Sequence, residues 1–492
     1  MRAAIFLIAL SAAHAGVLSR DWENGKLTLQ LDDGVAEIEW ISPTAFRYAR
    51  GIDSLPVVPK IHHDPVALEF EDAHGTLKIR GRYMSIEIDK SAAKLRVSAN
   101  NETLANLFID ASSLDVSPLS KIFGLAGPGD AQRFFFTNSY GIFVRSPRHC
   151  SFDLDHGRIL ATARSMDVMF YYGPSPKEIF EEHQKATGRT EITAQSLHLP
   201  SADRLPLAAS PLPNAPLDSW DALSNLERTL YQWSLSAVLY PAFDLSTLSS
   251  ARGEIAKRGQ DLAAMLPLIY GSSHLAGREK WEPYLVTYLR EAYDRGYPLI
   301  RPLPVQFSHD KDLNPQPDVF MLGDEVLLAP MVAAGSHRAL QLPRGLWTDL
   351  RTNIEYKGIQ TVDLEAPSGQ VPTLARNGTI LPLSAKAAME LHYFPSLGAE
   401  FFLWETEKRD NSQFHAAPAD DFTRVEIESK VSRNYEWVIH HTGRPTNVDG
   451  CKSVRQRSAL KPGTWWHDKA RNDLHVMVHA EAGSDLIVNI SF

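Results

Sequence analysis

The chain has 492 residues, 44% hydrophobic and 22% charged, which is ample for several globular domains and excludes a disordered or collagen-like polymer. A formal net charge of -9 provides no basic excess to displace counterions. It argues against nucleic acid or an anionic membrane surface as a partner and suits a neutral ligand such as a sugar.

Residues 1–15, MRAAIFLIALSAAHA, set basic Arg2 before an apolar run from Ala3 to Ala13, with small Ala13 and Ala15 flanking His14. This is the pattern of a secretory signal cut after Ala15, so the mature protein is expected to be exported, periplasmic or extracellular. The run is too short to span a bilayer, and no later stretch approaches the needed length. Cys150 and Cys451 are the two cysteines. They form either one disulfide or two buried thiols; thiols are favoured because the two fall in different predicted domains. No Cys or His cluster has ligand spacing, so neither a metal nor another cofactor is expected.

From Lys26 to Val97, apolar residues alternate with polar ones: Leu27, Leu29, Leu31; Ala36, Ile38, Trp40; Leu77, Ile79; Met84, Ile86, Ile88; Leu95, Val97. Period two punctuated by Asp-Gly, His-Gly and Asn-Asn predicts an antiparallel sandwich over 16–190, closing on a helix at Pro176 to Thr187. Residues 191–216 hold five prolines between Pro200 and Pro216 with almost no periodicity, which is linker composition. In 217–331, Trp281, Tyr284, Leu285, Tyr288, Leu289, Ala292 and Tyr293 recur at three and four residues. They predict a helix from Trp281 to Asp294 ended by Gly296. Val326 to Leu328, bounded by Gly323 and Pro330, reads as a strand buried on both faces, the language of an α/β domain. Period two returns from Gly335 and predicts two C-terminal β-domains, 332–395 and 396–492, the latter on Glu400–Trp404, Val425–Ile427, Trp437–Ile439 and Leu474–Val478.

RGYPLIRPL at 295–303, MLGDEVLLAPM at 321–331 and the LPxGxW and ARNGTILPL phrases further on resemble the barrel end and proximal C-terminal sandwich of glycoside hydrolase family 31, the α-glucosidases and α-xylosidases. Phe134 to Arg189 resembles that family's N-terminal, galactose-mutarotase-like sandwich. The resemblance implies a multidomain β plus α/β fold with an N-terminal β-sandwich, a (β/α)₈ barrel and two C-terminal β-sandwiches. Yet Leu197 to Met331 is roughly half of the about 250 residues that a complete barrel takes. The expectation is a remnant of about three βα units, with its open edge covered by the N-terminal sandwich, the proline-rich segment, or a second subunit in a homodimer or with another chain.

A retaining glycosidase needs two facing carboxyl groups. In the family both are aspartates at strand ends, and the nucleophile's tryptophan-rich motif has no counterpart between Gly188 and Trp220. Matching Trp220 places Ala215 where the acid/base aspartate stands in the family, with Asn214 and Asp218 as neighbours. Asp218 is a weak catalytic candidate, and capping the helix that begins at Trp220 is the favoured role. Where the family has a Trp-Gly-His-Asp run, this chain has Pro241, Ala242, Phe243 and Asp244, so Asp244 is the remaining pocket candidate. The positions of the family's substrate-gripping Arg and His hold Tyr270 and Ser272. Arg258, Pro298, Arg301, Gly323, Asp324 and Pro330 match as residues of packing and turns, and Arg301 is expected to pair with Asp324. Trp465 and Trp466, in a PGTWWHD turn, offer a sugar-stacking platform, weighed against one of them facing the core.

Three functions follow from these residues. The first is an exported, degenerate member of the family without glycosidase chemistry, retained to bind an oligosaccharide or another protein. The alternative is an active α-glycosidase of α-glucosidase type that uses Asp218 and Asp244 or a partner-completed site. The third is a structural interaction protein or remnant.

Overall fold

The computed structural model describes residues 16–52, 55, 63–99, 102–109, 113–117, 122–145, 150–153, 158–161, 165–193, 195, 197–272 and 275–492. The expected signal segment, 1–15, lies outside the described residues. The described residues fall into two compact units, those up to 125 with 129–188, and those of 126–128 with 189–492.

The first unit is built on two eight-stranded sheets. One runs in the order Val17–Glu23, Lys26–Leu31, Gly34–Ser42, Ala45–Gly51, Ser165–Tyr172, Tyr140–Val144, Phe134–Phe136, Phe123–Gly124. The other spans Glu69–Ala73 to Cys150–Asp153. The alternating residues close the space between them: Leu27, Leu29, Ile38, Leu77, Ile79, Ile86, Ile88, Leu95 and Val97 share one core with Ile142 and Phe170 from the far end of the unit. Two inner faces around one core make a sandwich. The outer side of Ala45–Gly51 is also covered, because all seven of its residues are buried. There Arg47 meets Asp167 at 2.9 Å, and Ser42 donates to Glu182 of helix α1, Pro176–Thr187, at 2.6 Å.

The second unit opens with a sheet of four short parallel strands in the order His198–Leu199, Leu268–Tyr270, Pro241–Asp244, Ser210–Pro211. Helix α2, Trp220–Leu235, joins Ser210–Pro211 to Pro241–Asp244; α3, Gly253–Met265, leads to Leu268–Tyr270; and α4, Arg278–Arg295, follows. Both outermost strands come from the proline-rich segment, whose composition suggests a linker. This segment, one of the covers expected for an open edge, pairs with the two central strands. Arg278 secures it: the guanidinium, 6% exposed, donates to the carbonyls of Leu197, Ala264, Leu266 and Pro267.

After α4, terminated by Gly296 at φ 73°, the pairing turns antiparallel. Ile300–Pro302, Phe320–Leu322 and Val326–Leu328 join Thr373–Arg376, Leu346–Asp349 and Glu355–Lys357 in one six-stranded sheet. Val326–Leu328 is buried as expected, but in an antiparallel hairpin rather than an α/β layer. Its sheet passes without a break across the expected boundary at 331. Leu303, Met321 and Leu327 accordingly share a core with Leu340, Trp347, Leu364 and Leu374. Trp347 is fully buried and its indole N–H donates to Pro343 O at 2.9 Å, which accounts for the LPxGxW spacing. Thr379–Ser384 and Met389–Phe394 belong to the distal six-stranded sheet with Arg433–Ile439, Asp473–Ala480, Thr464–Asp468 and Lys452–Ser453. A five-stranded sheet runs from Ala399–Glu405 to Asn447–Val448.

Cys451 is a free thiol, and the Cys150 side chain lies outside the described residues. Among the described residues, no helix is long and apolar enough to cross a membrane.

Candidate functional site

In a parallel sheet, residues at the carboxyl ends of the strands face the crevice where ligands bind. The register of the two central strands places Asp244 directly beside Tyr270 at that end. These two expected pocket residues therefore come together. Tyr270 is 7% exposed, and burial followed by the charge of Asp244 raises its phenol above the ordinary range.

The carboxylate of Asp244 is already engaged. Asp244 caps the turn Leu245–Ser250, where Oδ1 accepts the Ser246 N–H at 2.8 Å and Oδ2 faces the Asn214 amide at 3.4 Å. Its carbonyl accepts the Thr247 hydroxyl at 2.7 Å. Among the described residues, the groups bonded to this carboxylate are one backbone amide and one carboxamide, and neither is a second acid. Gly271, at φ +127°, lets the next strand end pass Leu245, whose Cβ would lie 3.1 Å from an added Cβ.

Asp218 does not cap α2. That role belongs to Ser219, whose hydroxyl accepts the Ala222 N–H at 3.2 Å, leaving Asp218 exposed one residue earlier. Both residue types cap well, so the sequence alone could not choose between them. A cleft of about 320 Å³ lies against the first turns of α2 and is lined by Ala215, Phe243 and Thr247 among others. Its carboxyl group is Asp221; Asp244 and Asp218 are not in its lining.

Trp465 and Trp466 lie on the strand Thr464–Asp468, not in a turn. Successive strand residues face opposite ways. Trp465 is 6% exposed with the Arg444 guanidinium 5.7 Å from its ring, so it is a core residue. Trp466 is half-buried, tilted against His475 at 5.1 Å. The pair makes no two-ring platform.

The matching residues further along are structural. Arg258, 4% exposed, donates to the carbonyls of Gly335, Ala366, Pro367 and Gln370. Arg301, fully buried, pairs with Asp324 as expected and also with Glu291. Beside it is a group that the sequence reading did not single out. Glu325 is 8% exposed and accepts the hydroxyls of Tyr284 at 2.8 Å and Tyr288 at 2.6 Å, both on Oε2. Burial, with the neighbouring Asp324 charge, pushes its carboxyl up to about 7. Two buried tyrosines one helical turn apart, each with a hydroxyl to satisfy, were the available signal. Gly323, at φ +66°, is required here, because an added Cβ would come within 2.4 Å of the Tyr288 ring.

No group of three or more His, Cys, Asp or Glu among the described residues could hold a metal ion. Residues 296–381 match the profile of the Glycosyl hydrolase family 31 C-terminal domain. The chain is 35% identical over 103 residues to Neutral alpha-glucosidase AB of Mus musculus, covering 20% of this chain and 11% of that protein. It is 34% identical over 106 residues to an Alpha-glucosidase of Saccharolobus solfataricus, covering 22% and 15%. The chain thus spans well under a quarter of the length of these relatives. A Flavobacterium johnsoniae GH31 dextranase, complexed with glucose, superposes with a TM-score of 0.82 at 13% identity, covering 98% of this chain and 100% of that one. That likeness is one of fold.

Proposed function

We propose that this chain, whose residues 296–381 match the Glycosyl hydrolase family 31 C-terminal domain, is a member of that family: an exported, carbohydrate-related protein without glycosidase turnover, retained to bind saccharide or another protein. The observation that carries this reading is the state of Asp244: its carboxylate caps a turn and leans on Asn214, with no facing acid bonded to it among the described residues. Retaining hydrolysis needs an attacking carboxylate and a proton-donating one about 5 to 5.5 Å apart. Ala215, at the position matched to the family's acid, supplies neither role.

The parallel strands Pro241–Asp244 and Leu268–Tyr270, alternating with α2, α3 and α4, support reading 217–331 as a barrel remnant of about three βα units. The proline-rich segment stands in place of the other strands. The competing reading is an active α-glucosidase in which Asp244 works with Asp218 or with a group from a second subunit.

Hydrolysis of aryl α-glucosides and α-xylosides by the purified protein separates the two. The expected result is no turnover above the uncatalysed rate. Turnover that Asp244→Asn abolishes would replace this reading with the active one.

A further inference from the structure

α4 and the strand Ala399–Glu405 enclose a cleft of about 590 Å³, far from Asp244 in sequence and lined by Glu325, Phe402, Trp404 and Asn411 among others. We propose that this cleft is an accessory site for a neutral polyhydroxylated ligand, a saccharide, held by the free oxygen of Glu325, the carboxamide of Asn411 and the open ring of Phe402.

The volume lies in the range of small-molecule pockets. Within it, Glu325 is more than nine-tenths buried, yet only Oε2 is used by the two tyrosines; Oε1 accepts no hydrogen bond among the described residues. A carboxyl oxygen left unbonded on an otherwise buried side chain that lines a cleft is open to a partner from within the cleft. The neighbouring geometry also favours a protonated acid. Tyr284 has a single hydroxyl proton, and both Leu322 O at 2.5 Å and Glu325 Oε2 stand ready to accept it. A carboxyl poised between its two forms can accept from a ligand hydroxyl or donate to one.

Glu400, Phe402 and Trp404 alternate along one strand and share a face. Trp404 is already covered by the Arg290 guanidinium, 4.2 Å from its ring. Phe402, by contrast, is 46% exposed, an apolar face of the kind on which a sugar ring stacks. Asn411 sits directly across from Trp404 and can donate and accept at once.

A cationic ligand is the competing chemistry, because five carboxyl groups line the cleft. Three of them are already matched: Glu291 and Asp324 by Arg301, and Asp294 by Arg290. Arg295 adds a further positive charge to the lining. Little unneutralised charge remains, while hydrogen-bonding capacity does, so a neutral hydroxylated ligand fits better than an amine.

This site rests on the saccharide-binding reading above only for its ligand class. Titration calorimetry of the full chain with maltotriose, isomaltotriose and spermidine tests it. One of the trisaccharides is expected to bind, weakened about tenfold by either Glu325→Gln or surface-exposed Phe402→Ala and unchanged by Asp244→Asn. Spermidine binding in the absence of trisaccharide binding overturns the ligand class, and no binding of any probe overturns the site. Trisaccharide binding lost in Asp244→Asn but intact in Glu325→Gln and Phe402→Ala overturns this site while leaving the saccharide-binding reading standing.

Discussion

Glu325→Gln is expected to stabilise the protein in a pH-dependent way. The carboxyl titrates near 7 in the folded state, against 4.5 unperturbed, chiefly because it is buried, so the folded protein holds a proton that the unfolded chain has released between those values. Stability therefore falls as pH rises from about 4.5 to 7, and the native group is least favourable at pH 8. The interval of about 2.5 pH units corresponds to a ceiling of about 3 kcal/mol at 1.36 kcal/mol per unit. Glutamine keeps an oxygen to accept the Tyr284 and Tyr288 hydroxyls but cannot ionise. Urea unfolding of both proteins at pH 5 and pH 8 reads the difference. The variant should gain on the native protein by one to about 3 kcal/mol between the two pH values. A stability difference that does not change with pH would refute the claim that a buried, near-neutral acid sits between those tyrosines.

Three other substitutions follow from the same structure. Arg278→Ala should lower stability by about 3 kcal/mol in urea, since four carbonyls, three of them in buried hydrogen bonds, lose their donor and the strand His198–Leu199 loses its anchor; a loss under about 0.5 kcal/mol would count against that anchor. His183 is stacked on Phe134 at 4.2 Å, and burial pushes it down to about 3. Its contribution is present above pH 6.5 and lost as pH falls toward 3, with a ceiling of about 5 kcal/mol, so His183→Phe should flatten the acid limb of a thermal melt series. Trp465→Ala should cost about 3 to 5 kcal/mol while Trp466→Ala costs about 1, because only the first ring fills the core; equal losses in urea unfolding would contradict the assignment.

What the sequence revealed depended on how far apart the interacting residues lie. The alternating leucines and isoleucines of 27–97 announced their strands because burial of one face imposes period two locally. The helix read as Trp281 to Asp294 extends from Arg278 to Arg295, since its apolar face marks the core rather than the ends. The strands His198–Leu199 and Ser210–Pro211 gave no such mark. Each is two residues long, and their partners, such as Tyr270 for Leu199, are distant in the chain, so composition alone suggested a linker. Val326–Leu328 shows a related ambiguity: a short run buried on both faces looks the same whether its neighbours are parallel or antiparallel. Asp244 and Tyr270 could be picked out through the family resemblance. That the Asp244 carboxylate is taken up by the Ser246 amide follows from backbone geometry and could not be read from residue identity. Glu325 was legible only as part of a turn phrase, because its two tyrosine partners lie on the preceding helix.

The most direct test of the central claim is the mass of the intact protein after incubation with an activated 5-fluoro glycosyl fluoride, which leaves a glycosyl group on the attacking carboxylate of a retaining enzyme. The account predicts an unchanged mass for both gluco- and xylo-configured reagents. A stoichiometric glycosyl adduct, mapped to an aspartate such as Asp244, would show that an attacking acid is present and that the non-hydrolytic reading is wrong.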